Sequence, residues 1–235
     1  MKTPAIFLSV FLILVQGASL FAQDAEEEVK QFRVLALGNP TSLRGLFYDL
    51  NNEEVLIDPS DVSLSPLYEV PKGGELNLYR KIPPVPPETK PTKEVVYSAD
   101  LSANQLSLVV LTSGRSKSVA GVVIDDSWEA FPSSQVRVLN MSKRRTAAQV
   151  EGVGEEIEPG GYGLFTYESM KPRIRIKVAS YSDGQWKLRF NNSQAIVPGA
   201  RINVLVTDFE PTPKDPNPDG VSVMKMIDPL LPPES

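Results

Sequence analysis

The side chains able to do chemistry in this chain are carboxylates and basic groups, because its 235 residues include no histidine and no cysteine. Ser-His-Asp and Cys-His sites therefore cannot form, and zinc, copper or haem iron would lack its usual nitrogen or sulfur ligands. Oxygen chemistry remains, since a glycosidase needs only two carboxyl groups about 5 to 10 Å apart. The candidate acids are Asp125, Asp126, Asp208, Glu210 and Glu155, with Trp128 and Trp186 as candidate cleft residues.

Adjacent residues on a strand point to opposite faces, so Asp125 and Asp126 can act as a pair only if the strand has already turned. Charged strand-end residues are normally solvated. We therefore expect a protein that is not an enzyme. The alternative is a carboxylate-dependent enzyme acting on envelope polysaccharide.

One string has metal-ligand spacing: Asp215, Asn217 and Asp219 alternate before Gly220, as at the start of an EF-hand calcium loop. The twelfth position is Met226 rather than glutamate, and two prolines stiffen the segment, which favours an ordinary turn. Calcium at these three residues is the metal hypothesis, and the sequence predicts no other cofactor.

Basic and apolar residues alternate in two neighbouring segments, Arg173–Val178 and Trp186–Phe190, on either side of Ser182-Asp183-Gly184. If those three residues form a hairpin loop, Lys177 faces Arg189 and Ile176 faces Phe190. One face of the hairpin then carries all five cations: Arg173, Arg175, Lys177, Lys187 and Arg189. The face is either a binding surface for an anionic partner or an ordinary solvated sheet surface.

A further basic cluster, Lys143-Arg144-Arg145, follows the strand that begins near Val136. Strand order in a sandwich is set by topology, so the sequence leaves open whether this cluster joins the hairpin face or a remote edge.

Strands must position these groups. Short runs rich in β-branched and aromatic residues recur from Phe32–Leu37 to Arg201–Phe209, each bounded by turn residues, and no long helical periodicity competes with them. The 21 prolines and 15 glycines fit frequent turns. We predict an all-β protein of two tandem, related antiparallel β-sandwich modules of immunoglobulin-like type.

The two halves share three strings in the same order. Phe32–Leu35 matches Val136–Leu139, Gly73–Leu76 matches Gly160–Leu164, and Leu108–Thr112 matches Asn203–Thr207. Chance similarity among strands is the alternative to duplication.

The chain begins with the pattern of an export signal: Lys2, an apolar run over residues 5–15, and small residues up to Ala22. We predict a signal peptide over 1–22, an acidic stub over 23–30, a first module over 31–126 and a second over 127–210. A proline-rich loop at 83–91, expected as extended polyproline II, interrupts the first module. A proline-rich tail covers 211–235, and its apolar stretch Val221–Ile227 either packs back on a sheet or is disordered. No later segment is apolar enough to span a membrane, so the predicted location is the periplasm or the extracellular space.

Two stretches carry a resemblance: Asp125–Pro132 with the strand Val136–Ser142, and the turn Glu158-Pro159-Gly160-Gly161. Over about Phe32 to Glu210 the chain resembles uncharacterised exported β-sandwich proteins of environmental Gram-negative bacteria. Its second module is more distantly similar to periplasmic accessory proteins of alginate acetylation. The resemblance implies the fold and the compartment, and it brings no catalytic residue.

These observations predict an exported, non-catalytic binding, structural or accessory protein of the cell envelope. Its expected partner is an envelope polysaccharide or a protein, with the basic sheet face contacting an anionic polymer. The net charge of −5 argues against nucleic acid.

Overall fold

The structure, a computed structural model, describes residues 29–38, 43–59, 63–84, 86–87, 89–113, 119–168, 170–209 and 220–228. Within these ranges the chain forms sixteen strands, eight in each half. The first half contains β1 (Gln31–Gly38), β2 (Leu46–Leu50), β3 (Glu53–Ile57), β4 (Tyr68–Glu69), β5 (Glu75–Ile82), β6 (Thr92–Asp100), β7 (Leu106–Ser113) and β8 (Val119–Asp125). The second half contains β9 (Gln135–Asn140), β10 (Thr146–Val150), β11 (Val153–Ile157), β12 (Tyr162–Thr166), β13 (Arg173–Ser182), β14 (Gln185–Ala195), β15 (Arg201–Asp208) and β16 (Val221–Asp228).

The strands form four four-stranded sheets, which pair into two sandwich modules, and the predicted all-β fold class is confirmed. In the first module the sheets have the orders β4-β1-β7-β8 and β3-β2-β5-β6; in the second they have the orders β12-β9-β15-β16 and β11-β10-β13-β14. Most pairs are antiparallel, and each module also contains one parallel pair, β1 with β7 and β9 with β15.

Three apolar clusters show how the sheets stack. One cluster lies between the two sheets of each module, and a third joins β1, β7 and β8 of the first module to β9, β15 and β16 of the second. The sheets therefore form four layers, and the two sheets that contain the parallel pairs are the inner layers. We call the other two, β3-β2-β5-β6 and β11-β10-β13-β14, the outer sheets.

Burial on both sides explains the composition of the inner strands. On β1, Val34 packs in the core of the first module, whereas Leu35 points the other way, into the cluster between modules. Side chains alternate between the faces of a strand, so a strand buried on both faces reads as a continuous apolar run. Leu108–Leu111 on β7 is such a run, and all four side chains are 0% exposed.

The two modules repeat the same topology, because each strand of the first has its counterpart eight strands later. The matches Phe32–Leu35 with Val136–Leu139 and Leu108–Thr112 with Asn203–Thr207 fall on equivalent strands, β1 with β9 and β7 with β15. The third match does not: Gly73-Gly74 precedes β5, whereas Gly160-Gly161 precedes β12, the counterpart of β4. Gly73, Gly74 and Gly160 have positive φ angles, which glycine adopts without strain, so this match reflects turn chemistry.

Two further segments complete the fold. Within the predicted tail 211–235, Val221–Asp228 forms β16, which pairs along its whole length with β15 and extends the second module, so the apolar stretch packs on a sheet, one of its two predicted alternatives. In the proline-rich segment, Pro86 and Pro87 form a turn with a cis peptide bond in the loop between β5 and β6 rather than extended polyproline II. The predicted signal peptide lies outside the described residues.

Candidate functional site

The β13–β14 hairpin differs in register from the sequence-based prediction. Its loop has two residues, Asp183 and Gly184, at φ angles of 54° and 78°, and Ser182 pairs with Gln185. Positive φ at both positions defines a type I′ turn, whose twist matches that of the strands. A bulge at Arg189 then shifts the pairing, so that Phe190 faces Val178 and Lys177 faces Asn191.

As a result, the five basic residues divide between two faces. Three of them, Arg173, Arg175 and Lys177, alternate with the buried Ile174, Ile176 and Val178 and project from the solvent side of the outer sheet. The other two lie toward the core side: Lys187 pairs with the buried Ser180, and Arg189 Nε donates to Ser180 Oγ at 2.7 Å. The expectation of one five-cation face is wrong because a bulge reverses the alternation of side chains beyond it.

The three outward cations are not neutralised by salt bridges. Within the described ranges, Arg173, Arg175 and Lys177 form no ion pair with a carboxylate. The Arg173 guanidinium donates to the side chain and carbonyl of Ser193. The Glu151 carboxylate accepts the Arg175 backbone N–H at 2.6 Å, and this bond, together with Lys171 and the charge of Arg175, lowers the pKa of Glu151.

The basic residues of the cluster 143–145 also lie at two separate places. Arg145 joins the solvent side of β13–β14, where its guanidinium lies 4.7 Å from the Tyr181 ring centre and pairs with Glu156 at 3.1 Å. Arg144 instead pairs with Asp208 at 2.8 Å at the end of β15.

A hollow of about 400 Å³ lies in the solvent side of the second module's outer sheet. Its floor consists of small residues, Ala147, Ala179 and Gly154, and its rim includes Lys177, Leu188 and Glu156. Leu188 is 60% exposed, and Trp186, two residues away on the same face, is 39% exposed. Trp186 packs edge-on against Tyr181 with ring centres 5.3 Å apart.

The equivalent place in the first module is filled. Phe47 pairs with Tyr79 across β2 and β5, as Ala147 pairs with Ala179 across β10 and β13. The two rings stack with centres 6.1 Å apart, and Lys81 and Lys93 lie over them at 4.2 and 4.4 Å. The Tyr79 hydroxyl donates to Asp49 at 2.8 Å, and burial raises the pKa of Tyr79 to about 12.

The candidate catalytic acids have other partners. Asp126 is fully buried between arginines, the Asp125 carboxylate accepts the Ser127 backbone N–H at 2.9 Å, and Asp208 pairs with Arg144. Trp128 lies against the Arg201 guanidinium. Glu155 lies on edge strand β11 beside the hollow, and Glu210 lies outside the described residues.

Sequence reasoning missed a buried ionic network between the modules. It consists of Arg33, Arg137, Arg201, Asp126 and Asp228, all at most 3% exposed. Arg33 Nε donates to Asp126 at 2.6 Å and its Nη1 to Asp228 at 2.8 Å, whereas Arg137 Nη2 donates to Asp126 at 2.7 Å. Arg201 binds Asp228 and the backbone carbonyls of Asp126 and Phe131.

The signal for this network was present in the matched strings, each of which places an arginine inside an apolar strand at the same position, Arg33 and Arg137. A charge that recurs at equivalent positions of two buried strands indicates a paired, structural role.

Asp215, Asn217 and Asp219, the residues of the calcium hypothesis, lie outside the described residues. Elsewhere, in the part of the chain that the structure describes, no three acidic side chains gather closely enough to hold a metal ion. The same ranges contain no helix with the length and apolar character needed to cross a bilayer.

In comparisons with known proteins, the chain matches no family model and no curated protein sequence.

Proposed function

We propose that this protein is an exported, non-catalytic binding or accessory component of the cell envelope, and that the solvent side of β13 contacts an anionic polymer. The observation that carries the proposal is the row Arg173, Arg175 and Lys177, whose charges are not offset by salt bridges within the described residues. Alternate residues of one strand lie about 6.6 Å apart, so the row offers a regular line of positive charge.

The polymer fits the row better than a small anion does. Arg173 and Arg175 are exposed and Lys177 is half-buried, so a bound chain could pass along the strand. Acidic polysaccharides carry charges at a regular spacing, and the match of charges supplies attraction despite the overall net charge of −5.

The test is retention on a column of immobilised polygalacturonate, an acidic polysaccharide. The wild-type protein should bind at about 0.01 M salt, where the Debye length is about 30 Å, and should elute well before 1 M, where it is about 3 Å. A variant with Arg173, Arg175 and Lys177 all replaced by Ser should pass through unretained at the lower salt.

A matched control removes three exposed lysines elsewhere: Lys72, Lys90 and Lys143, each replaced by Ser. It has the same net charge as the test variant, so it should elute close to the wild type. Equal elution of the two triple variants would contradict the proposal, because it would show that net charge and not the row determines retention.

A further inference from the structure

We infer that the hollow of the second module is a binding site for an aromatic side chain, tyrosine in the first place, supplied by a protein partner. The inference goes beyond the proposed polymer contact, and it starts from a comparison of the two modules. Each position of one outer sheet can be matched with a position of the other. The match rests on equivalent strands, equivalent cross-strand pairs and equivalent bulges after Leu78 and Val178.

The comparison shows that the second module lacks the two rings that cover this place in the first. Where Phe47 and Tyr79 stack, Ala147 and Ala179 leave a floor of two methyl groups. Leu188 corresponds to Val95; both side chains are exposed, by 60% and 56%, and Leu188 lies at the edge of the hollow. An exposed apolar side chain beside an apolar floor is typical of a protein contact.

The lining of the hollow has polar groups that an aromatic ring with a hydroxyl can use. In the first module a lysine lies over the Tyr79 ring, and the hydroxyl donates to Asp49 at 2.8 Å and lies 3.1 Å from the Glu54 carboxylate. In the second module Lys177 lines the hollow, and Gln149, whose side-chain carbonyl oxygen can accept a hydrogen bond, occupies the position of Asp49. A bound tyrosine would therefore have a cation beside its ring and an acceptor for its hydroxyl, as Tyr79 has.

A sugar ring fits this surface less well. The floor carries the methyl groups of Ala147 and Ala179, and Leu188 adds apolar surface at the rim, whereas a pyranose carries hydroxyls around its whole edge. Hydroxyls placed against an apolar floor would lose hydrogen bonds to water without replacement. An aromatic side chain has an apolar face and needs a partner only for its hydroxyl.

The experiment uses p-cresol, the tyrosine side chain as a free molecule, as the probe. Titrated into the full-length protein, it should shift the NMR methyl signals of Ala147, Ala179 and Leu188 saturably, and leave those of the first module unchanged. A double variant, Ala147→Phe with Ala179→Tyr, fills the hollow with the residues of the first module and should weaken binding at least tenfold.

If the filled variant does not fold, Leu188→Ser serves instead, since it trims an exposed side chain at the rim and should weaken binding severalfold. Both variants keep Arg173, Arg175 and Lys177, so retention on polygalacturonate should persist, and failure of one proposal can be told from failure of the other. The inference is overturned if p-cresol causes no saturable shift, if a folded filled variant binds it as well as the wild type, or if galacturonate oligomers shift these methyl signals and p-cresol does not.

Discussion

Asp126 is the residue on which the contact between the modules depends most directly. Its carboxylate is fully buried and bridges Arg33 of the first module and Arg137 of the second. Burial disfavours charged groups, and desolvation is the main reason that the pKa of Arg137 is lowered. The Asp126 carboxylate acts in the opposite direction, because its negative charge raises that pKa. Removal of a group in this position is strongly destabilising, because the remaining charges are left buried without compensation.

We therefore predict that Asp126→Asn lowers the free energy of unfolding by about 3–5 kcal/mol. The measurement is the chemical denaturation midpoint at constant slope. Asp208→Asn is the control, since it breaks a partly exposed pair with Arg144 and should cost less than about 1 kcal/mol. Equal losses in the two variants would show that the network contributes no more than a surface pair.

At the scale of single residues, the sequence predicted side-chain direction where alternation was regular and failed where it was broken. Arg173, Arg175 and Lys177 lie on the solvent face as predicted. Lys187 and Arg189 do not, because an extra residue in one strand cannot be recognised from residue types. The repeated arginine at Arg33 and Arg137 indicates a structural charge, but its partners Asp126 and Asp228 are determined by the fold and not by a local pattern.

Among the elements, the turns show how the backbone limits the sequence. Gly184 has a φ of 78° and no atom within 4 Å of the place where a Cβ would be, so it is required for conformation alone. Gly74 has a φ of 85°, and a Cβ there would lie 2.6 Å from the Ser102 Cβ and 2.9 Å from its backbone nitrogen.

Gly184→Ala should therefore cost about 1 kcal/mol, the usual penalty for forcing a side chain into the left-handed region. Gly74→Ala should cost more, because the clash with Ser102 adds to the same strain and the backbone of Ser102 must move. Thermal denaturation of the two variants side by side checks this order. A Gly74→Ala protein as stable as Gly184→Ala would show that the Ser102 turn shifts without cost.

Strand positions were easier to predict than strand partners. The runs from Phe32 and from Arg201 were recognised because apolar residues dominate them, and β1 and β15 indeed lie there. For the segment of β16, within the predicted tail, packing on a sheet and disorder were both left open; Val221 and Met226 pack into two different cores. The strand is separated from β15 by a polar, proline-rich stretch, and pairing across such a stretch is decided by tertiary contacts.

For the whole molecule, the third apolar cluster and the ionic network join the two modules across their inner sheets. Leu35, Leu139 and Leu205 are fully buried there, although each belongs to a strand that also faces its own module's core. Separating the modules would expose this cluster and break the network at the same time.

The two modules should consequently unfold in one cooperative transition. Calorimetry of the full chain should give a single peak with equal calorimetric and van't Hoff enthalpies. In Asp126→Asn the whole peak should move to lower temperature without splitting. Two resolved peaks in the wild-type protein would contradict coupling between the modules.

The ionic pairs between modules are reciprocal: Arg33 of the first binds Asp228 of the second, and Arg137 of the second binds Asp126 of the first. This is the pattern of an isologous homodimer, in which each contact occurs twice about a two-fold axis. In a true homodimer every substitution appears in both subunits, so one outer surface cannot change without the other. Because both copies here lie in one chain, the second could lose its aromatic pair while the first kept Phe47 and Tyr79. Covalent linkage thus makes two unlike outer surfaces compatible with a nearly symmetric interior.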